Sequence, residues 1–145
     1  MVGIDLGARR IGVAVSDSAG RLASPRCTIS RTGDAESDRE TLAQVVADCA
    51  AERVVVGLPV SLDGTRGPAA RSAEKEAAVL REVLAPKGIE VELFDERLTT
   101  VSAQQRLAEA GVRGKSQRKV VDQAAAAVML QAWLDAHARV EDTDV

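Results

Sequence analysis

Three acidic residues lie in three short segments, residues 3–7, 95–100 and 120–125, that could each hold a carboxylate in place. They are Asp5, Glu96 and Asp122, and they are far apart in the sequence. Carboxylates that come close together repel one another unless a cation lies between them, and hard divalent cations prefer oxygen ligands. A fold that gathers these three side chains would therefore create a magnesium or manganese site. Such a site predicts metal-assisted cleavage of a phosphodiester bond.

Asp5 follows apolar residues on the first predicted strand. An ionised carboxylate in that setting loses hydration, and a bound cation is one way to compensate for the loss. The alternative is that Asp5 caps the next turn through the backbone amides of Gly7 or Ala8. Gly7 is expected to provide either a positive φ or room for the close approach of a phosphate.

Glu96 ends a predicted strand, and loops at the carboxyl edge of a parallel sheet commonly form the site. Asp95 is expected to point to the other face, which leaves Glu96 for the cleft. The alternative for Glu96 is an ordinary surface acid.

Asp122 lies near the start of a helix rich in valine and alanine. Its alternative role is a favourable interaction with the helix dipole.

The strongest basic cluster in the chain directly precedes Asp122. Residues 111–119 carry four cations and no acid, which predicts phosphate contacts: Arg113, Lys115, Arg118 and Lys119. The alternative is a solvated loop. The formal net charge of −3 argues against nucleic-acid binding by the surface as a whole, so any such binding must be local. Phe94 and Trp133 are the only aromatic residues, which argues against a base-stacking platform.

Hydrophobic periodicity predicts the order βββ-α-β-α-β-α-α. The predicted strands cover residues 2–6, 11–15, 21–30, 54–56 and 89–94. After a polar loop (31–38), the first helix carries Leu42, Val45, Val46 and Cys49 on one face, and Ala73, Ala77, Leu80 and Leu84 mark the second. The third helix is predicted from 99 or 100 to 110 and the fourth over 120–138. This order indicates an α/β fold in which a mixed five-stranded sheet, an antiparallel three-strand meander plus two parallel strands, is flanked by helices. The length of 145 residues suits a single domain over 1–139 with an acidic tail over 140–145.

Cysteine and histidine do not form a metal or nucleophile motif. Cys27 and Cys49 lack CxxC spacing, and His137 is the only histidine. Cys49 is expected in the core, whereas Cys27, near an edge strand, suggests a disulfide between chains as a hypothesis. No apolar run approaches the roughly 20 residues of a membrane span, so we expect a cytoplasmic protein with no membrane partner.

Four segments, in this order, resemble the YqgF (RuvX) family, whose members are described as pre-ribosomal-RNA nucleases and as Holliday-junction resolvase-like proteins. They are residues 3–17, beginning Gly3-Ile4-Asp5-Leu6-Gly7, then 56–59 with 63–65, then Asp95-Glu96-Arg97-Leu98-Thr99-Thr100, and finally Val121-Asp122-Gln123-Ala124-Ala125. Together they span almost the whole chain. The family usually has a longer leader before its first strand, so the natural start of this protein is an open question.

The resemblance implies a ribonuclease H-like fold and a nuclease that trims the 5′ end of the 16S ribosomal RNA precursor, with branched DNA as a second substrate. It also implies that Asp5, Glu96 and Asp122 are the catalytic, metal-binding triad. Two Mg²⁺ or Mn²⁺ ions about 3.5 to 4 Å apart would activate a water and stabilise the leaving oxygen. By position, the family's basic turn and the residues flanking its second acid would contact nucleic acid: Arg9, Arg10, Arg97 and Thr99.

Two other classes of protein are compatible with parts of this pattern. Actin-like or sugar-kinase-like nucleotide-binding proteins also begin with a strand, an Asp and a Gly, but they need two lobes to bind ATP. A non-catalytic RNA-binding assembly factor with the same fold is the second class. A resolvase acting on a symmetric junction favours a two-fold dimer, so both a monomer and a homodimer stay open.

Overall fold

The computed structural model describes residues 1–59, 67–95 and 124–137. In chain order, its elements are β1 (Val2–Leu6), β2 (Arg10–Ser16), β3 (Ala23–Ser30), α1 (Ala35–Asp48), β4 (Arg53–Leu58), α2 (Pro68–Leu84), a short 3-10 helix (Ala85–Lys87), β5 (Glu90–Asp95) and α3, a helix over 124–137. The helix predicted from 99 or 100 to 110 lies outside the described residues.

The strands form a five-stranded sheet in the order β3-β2-β1-β4-β5. β1, β2 and β3 pair as an antiparallel meander, while β4 is parallel to β1 and β5 is parallel to β4. The predicted mixed sheet is therefore confirmed. The strand that comes first in the sequence occupies the centre of the sheet.

β4 is buried on both faces. Its run Val54, Val55 and Val56 has no exposed surface, as expected for a parallel strand covered by helices on both sides. Val54 and Val56 belong to the larger core cluster, and Val55 belongs to the cluster that includes α3. The sheet thus forms the middle of three layers, with α1 and α2 on one face and α3 on the other.

The core between the sheet and α1 and α2 contains most of the large aliphatic side chains. From the sheet, Val2 and Ile4 of β1 and Ile11 and Val13 of β2 enter this core. The helices contribute six buried residues: Leu42, Ala43, Val46, Ala77, Leu80 and Leu84. Burial of one of the larger aliphatic side chains stabilises the fold by about 1.5–3 kcal/mol.

α3 packs very closely on the opposite face of the sheet. A Cβ placed on Gly3 would lie 2.8 Å from Cβ of Leu130 and 3.3 Å from the carbonyl oxygen of Ala126. Real Cβ atoms essentially never approach other atoms as closely as 2.8 Å, so the position requires glycine. The early part of α3 therefore lies directly against the backbone of β1.

Polar contacts fix the direction of α3. Gln131 accepts a hydrogen bond from the amide of Ala23 (2.9 Å) and donates to the carbonyl of Arg21 (2.8 Å). Further along, the Trp133 indole donates to Glu92 (3.2 Å), and its ring lies 5.6 Å from the guanidinium carbon of Arg53. Because Ala23 and Arg53 begin β3 and β4, the later residues of α3 lie at the edge where β4 starts. The helix consequently runs antiparallel to β1 and β4.

Three of the predicted starts that differ from the structure have identifiable local reasons. β3 begins at Ala23 instead of Arg21, because the Asp17 carboxylate accepts the amides of Arg21 (2.8 Å) and Leu22 (3.3 Å) and holds a turn. α1 begins within the predicted polar loop, because the Asp34 side chain caps it by accepting the amide of Glu36. α2 begins at Pro68, since proline is well tolerated in the first helical turn.

Both cysteines are free thiols and half-buried against the core. Cys49 packs against the aliphatic cluster, although it retains some exposure. Burial raises the pKa of the Cys27 thiol, so less of the reactive thiolate is present at neutral pH. The disulfide between chains stays a prediction. In the described part of the chain, no helix is long and apolar enough to cross a membrane.

Candidate active site

Asp5 lies at the edge of the sheet where three parallel strands end. β1, β4 and β5 run in the same direction and end at Leu6, Leu58 and Asp95. In open α/β sheets, ligands commonly bind beyond the carboxyl ends of the strands. Asp5 is half-buried and is the second-last residue of its strand.

The position of Asp5 on β1 places it on the α3 face of the sheet. Val2 and Ile4 belong to the core on the α1 and α2 side, whereas Gly3 contacts α3. Side chains alternate along a strand, so Asp5 shares the face of Gly3. The carboxylate therefore belongs to the same side of the sheet as α3, towards the helix's first described residues.

The positions beside Asp5 on this face carry no side chains. Its partner on β2 is Gly12. On the other side, extending the β1–β4 register by one pair beyond Ile4 and Val56 places Gly57 beside it. The neighbouring strands therefore place no side chain of their own directly beside Asp5 on this face. Carboxylate oxygens are the ligands that hard divalent cations prefer, so the residue type and position of Asp5 fit the predicted metal ligand.

A tight turn follows β1 and depends on Gly7. The Gly7 amide donates to the Arg10 carbonyl (2.9 Å), and a Cβ on Gly7 would lie only 2.5 Å from that carbonyl oxygen. Gly7 does not have the positive φ found at Gly20. The close approach that demands glycine is thus to the chain's own backbone. The Gly7 amide is used by this turn, which argues against capping by Asp5 through that amide.

The two arginines of this turn lie at the same edge as Asp5. Arg9 is exposed within the turn, and Arg10, the first residue of β2, is half-buried. Ile11 faces the core on the α1 and α2 side. Arg10 consequently belongs to the α3 face, as Asp5 does. Two cations at the edge that carries Asp5 suit contact with the phosphates of a nucleic acid.

Two residues that the sequence analysis did not single out hold this turn in place. Arg31 donates from Nε to the Gly7 carbonyl (2.7 Å), and its guanidinium forms a salt bridge with Glu76 of α2. The two charged residues are 45 positions apart in the sequence. No periodicity or motif signals a pair of that kind, because it depends on the tertiary fold.

Most of the predicted site residues lie outside the described part of the chain: Glu96, Arg97, Thr99, Arg113, Lys115, Arg118, Lys119 and Asp122. Within residues 1–59, 67–95 and 124–137 there is no group of three or more His, Cys, Asp or Glu residues that could hold a metal ion. Asp5 is the one member of the predicted trio in those ranges.

The orientation of β5 supports the choice of Glu96 over Asp95. Leu93 packs against the core on the α1 and α2 side, and Phe94 packs against the cluster that includes α3. Alternation then assigns Asp95 to the face opposite Asp5. The prediction that Asp95 points away from the cleft agrees with this arrangement.

The fold is similar to those of Holliday-junction resolvases of known structure. RuvC of Thermus thermophilus, in complex with a Holliday junction, aligns with a TM-score of 0.56 and 16% identity, over 95% of this chain and 96% of that one. The yeast mitochondrial resolvase Ydc2 aligns with a TM-score of 0.58 and 12% identity, over 97% and 80%. At such low identity these likenesses concern the fold alone, and they confirm the predicted ribonuclease H-like class.

Bacterial relatives are similar in sequence over most of their length. A Myxococcus xanthus protein is 46% identical over 143 residues, which is 99% of this chain and 91% of the relative. An Anaeromyxobacter dehalogenans protein is 48% identical over 94% and 97%. A Mycobacterium protein (strain KMS) is 49% identical over 92% and 78%. All three are provisionally named pre-16S rRNA nucleases.

The family profile confirms the resemblance that the four sequence segments suggested. Residues 1–136 match the profile of RuvX, which is described as a Holliday junction resolvase. The match includes every described strand and nearly all of α3. The chain therefore belongs to the RuvX family.

Proposed function

We propose that this protein is a metal-dependent nuclease that hydrolyses phosphodiester bonds in the 5′ region of the 16S ribosomal RNA precursor. The observation that carries the proposal is the position of Asp5. It is a half-buried carboxylate at the common carboxyl edge of three parallel strands, beside two positions without side chains. Membership of the RuvX family and the names of the relatives support the nuclease activity.

Chain geometry supports the participation of Asp122. Asp122 precedes Ala126 by four residues, and a helical rise over four residues would be about 6 Å. From Gly3, which contacts Ala126, to Asp5 the strand also advances by about 6 to 7 Å. Because α3 runs antiparallel to β1, moving back along the helix from Ala126 leads in the same direction as moving forward along β1 from Gly3. A residue about 6 Å before Ala126 would therefore lie beside Asp5. We therefore assign Asp122 to the same site.

The direction and alternation of β5 support the proposal that Glu96 belongs to the site. It directly follows Asp95, the last residue of β5, at the edge where β1 and β4 also end. Phe94 packs on the α3 side, and residues two apart on a strand share a face, so continued alternation would give Glu96 the face of Asp5. The three acids would thus approach from three different elements.

Asp5, Glu96 and Asp122 would hold Mg²⁺ or Mn²⁺, because carboxylate oxygens are the ligands that these ions prefer. When bound, such ions lower the pKa of a water and stabilise the leaving oxygen of phosphodiester hydrolysis. In this scheme the carboxylates act as ligands and do not donate protons. Their own task is to stay ionised and fixed in place.

The cationic residues would bind the phosphates on either side of the scissile bond. Arg9 and Arg10 lie at the same edge as Asp5, and the other predicted contacts come from Arg97, Thr99, Arg113, Lys115, Arg118 and Lys119. Binding of this kind releases counterions, so affinity falls as salt rises. The protein as a whole is acidic, which restricts binding to this edge.

Branched DNA is the second candidate substrate. The RuvX profile is described as a Holliday junction resolvase, which supports this candidate. A resolvase needs two sites related by two-fold symmetry, whereas trimming of one RNA end needs a single site. Sedimentation of the protein with and without junction DNA distinguishes a monomer from a homodimer.

The decisive experiment uses purified protein with two substrates, precursor RNA and a four-way DNA junction. Each is incubated with Mg²⁺ or Mn²⁺, with and without chelator. Asp5→Asn should abolish cleavage and leave salt-sensitive binding intact, while Asp17→Asn, which removes a carboxylate at the β2–β3 turn, should cleave normally. Cleavage by Asp5→Asn at the wild-type rate would refute the proposal, and binding without metal-dependent cleavage by the wild type would favour an assembly factor.

The finer assignments follow the same reasoning. We propose that residues 1–139 form one nuclease domain with an acidic tail over 140–145. A substrate of ribosomal RNA precursor implies a protein in the cytoplasm, where that RNA is made in bacteria. Limited proteolysis that leaves a resistant fragment ending near residue 139 would support the domain assignment.

A further inference from the structure

Arg31 holds the turn after β1 from two directions. It is the residue immediately after β3, and its backbone amide donates to the Arg9 carbonyl (2.9 Å). Its side chain returns to the same turn, where Nε donates to the Gly7 carbonyl (2.7 Å). Since the Gly7 amide already donates to Arg10, both polar backbone groups of Gly7 are engaged.

Glu76 of α2 holds the other end of the Arg31 guanidinium. The two terminal nitrogens donate to the two carboxylate oxygens at 2.9 and 3.1 Å, which is a bidentate pair. Such pairs fix the plane of the guanidinium as well as its position. The Arg31 side chain is 18% exposed and the Glu76 side chain 39%, so this pair is less solvated than the Arg53–Glu90 pair, at 40% and 72%.

The contacts of Arg31 therefore connect α2 to the turn that directly follows Asp5. Asp5 is two residues before Gly7, and a shift of the Gly7 peptide moves the end of β1 with it. Apolar side chains and two further charged residues border the space beside the ion pair: Leu6, Ile11, Leu42, Leu80, Asp38 and Arg39. The apolar side chains limit the access of water to the pair on that side.

Charge balance shows how Arg31 differs from Arg9 and Arg10. The Glu76 carboxylate neutralises the guanidinium, so the pair adds little net charge near Asp5. Arg31 can then fix the turn without opposing the binding of a cation. Without Glu76, the same guanidinium would be an uncompensated positive charge at the turn that follows Asp5.

We propose that Arg31 is a positioning residue for Asp5: with Glu76, it fixes the Gly7 turn so that the Asp5 carboxylate is oriented to bind a divalent cation. The part that concerns the cation rests on the proposed function. The Arg31 side chain acts through the backbone of the turn, as outer residues of metal sites commonly act on the ligands.

The test measures direct Mn²⁺ binding by calorimetry, on variants that circular dichroism shows to be folded. Arg31→Ala should weaken Mn²⁺ binding by about tenfold or more, the usual effect of removing an outer partner of a metal ligand. Arg31→Lys retains the positive charge but cannot form the bidentate pair with Glu76. Its Mn²⁺ affinity should therefore lie between those of Arg31→Ala and the wild type. Glu76→Gln should also weaken binding.

Matched controls come from the second Arg–Glu pair of the sheet. Arg53 and Glu90 form a salt bridge of 2.9 Å between the first residues of β4 and β5, at the edge opposite Asp5. Arg53→Ala and Glu90→Gln should leave the Mn²⁺ affinity within about twofold of the wild type, since this exposed pair contributes little. If Arg31→Ala kept the wild-type affinity, or weakened it no more than Arg53→Ala, the positioning role would be wrong.

A second readout separates this proposal from the proposed function. Asp5→Asn should lose Mn²⁺ binding; if it did not, the metal assignment would fail. In that case amide hydrogen exchange at Gly7 still decides the role of Arg31 in the turn. Faster exchange in Arg31→Ala, but not in Arg53→Ala, supports the role, and equal exchange overturns it. If Arg31→Ala did not fold, Arg31→Lys and Glu76→Gln would serve for both measurements.

Discussion

Replacement of Gly7 by alanine tests how tightly the turn beside Asp5 is built. The new Cβ would lie 2.5 Å from the Arg10 carbonyl oxygen, whereas contacts of real Cβ atoms essentially never fall below 3.0 Å. The turn must therefore open by at least 0.5 Å, the difference between these two distances. The atom in the way belongs to the backbone, so no side-chain rotation relieves the contact.

Opening the turn has two energetic consequences. It weakens the hydrogen bond from the Gly7 amide to Arg10, worth about 0.5–1.5 kcal/mol, and it introduces overpacking strain of about 1–3 kcal/mol. We expect Gly7→Ala to lower the free energy of unfolding by roughly 2–4 kcal/mol. Urea denaturation measures this loss, and an unchanged m-value would show that the unfolded state is not the cause.

Gly20→Ala, in the β2–β3 turn, is the matched control. Gly20 has a φ of 68° and nothing within 4 Å of the Cβ that alanine would add, so the substitution costs only the left-handed backbone conformation, about 1–2 kcal/mol. Both glycines lie in hairpin turns of the same sheet. The comparison therefore separates a steric cost from a conformational one.

A double-mutant cycle with Arg31→Ala gives the sharpest outcome. Gly7→Ala displaces the carbonyl that Arg31 binds, so the two substitutions should be non-additive by about 0.5–3 kcal/mol. Gly20→Ala and Arg31→Ala should be additive. The reasoning is refuted if Gly7→Ala is no more destabilising than Gly20→Ala, or if it is additive with Arg31→Ala.

Three further predictions concern α3, the basic turn and the effect of pH. Gly3→Ala puts a Cβ 2.8 Å from Cβ of Leu130, so α3 must move away from β1. The free energy of unfolding should fall by about 1–3 kcal/mol. Thermal denaturation measures the change, and an unchanged Tm would contradict the close packing. Replacing Arg9 and Arg10 together by glutamine should remove two phosphate contacts. On single-stranded RNA, the slope of log affinity against log salt concentration should then be smaller by about 1.4. Filter binding at several salt concentrations measures the slope, and a wild-type slope in the double variant would show that other residues make the contacts. Hydrogen bonds from the amides of Arg21 and Leu22 lower the pKa of Asp17 in the folded protein below its usual 3.8. The ionised carboxylate therefore stabilises the fold above pH 3.8, the pKa in the unfolded chain. This stabilisation is lost as the pH falls through the lower pKa of the folded state. Asp17→Asn should therefore flatten the acid limb of the stability curve, and identical acid limbs in urea titrations would remove Asp17 as a cause.

The sequence predicts strands well where the apolar pattern is strong and poorly where polar side chains set a boundary. β1 has the predicted limits, and the all-valine centre of β4 is buried on both faces as predicted. The predicted start of α1 was wrong because Asp34 caps a first turn that contributes few apolar residues to the core. A search for hydrophobic periodicity does not detect a helical turn of that kind.

Some residues of the candidate site could be predicted from the sequence and others could not. Asp5 and the basic turn are evident from local sequence, because the motif is contiguous and glycine-rich. The pair of Arg31 and Glu76 is not evident, because it joins a residue that follows β3 to one in α2, and only the fold brings them together. Glu96 and Asp122 stay predictions, supported by the strand and the helix that adjoin them.

The strand order β3-β2-β1-β4-β5 has a consequence for how the chain reaches its native state during synthesis. β1, β2 and β3 can pair as soon as residue 30 is available, but one side of β1 stays open until β4 is made, over twenty residues later. The face formed by Ala14 and Val55 waits longer still, until α3 is complete. A nascent chain that stalls before residue 53 would thus expose the unpaired edge of the central strand. A chain that stalls before residue 124 would expose the apolar surface that α3 later covers. Both exposed features favour aggregation. Fast elongation through the last third of the message, or a chaperone bound to that surface, would protect the growing protein.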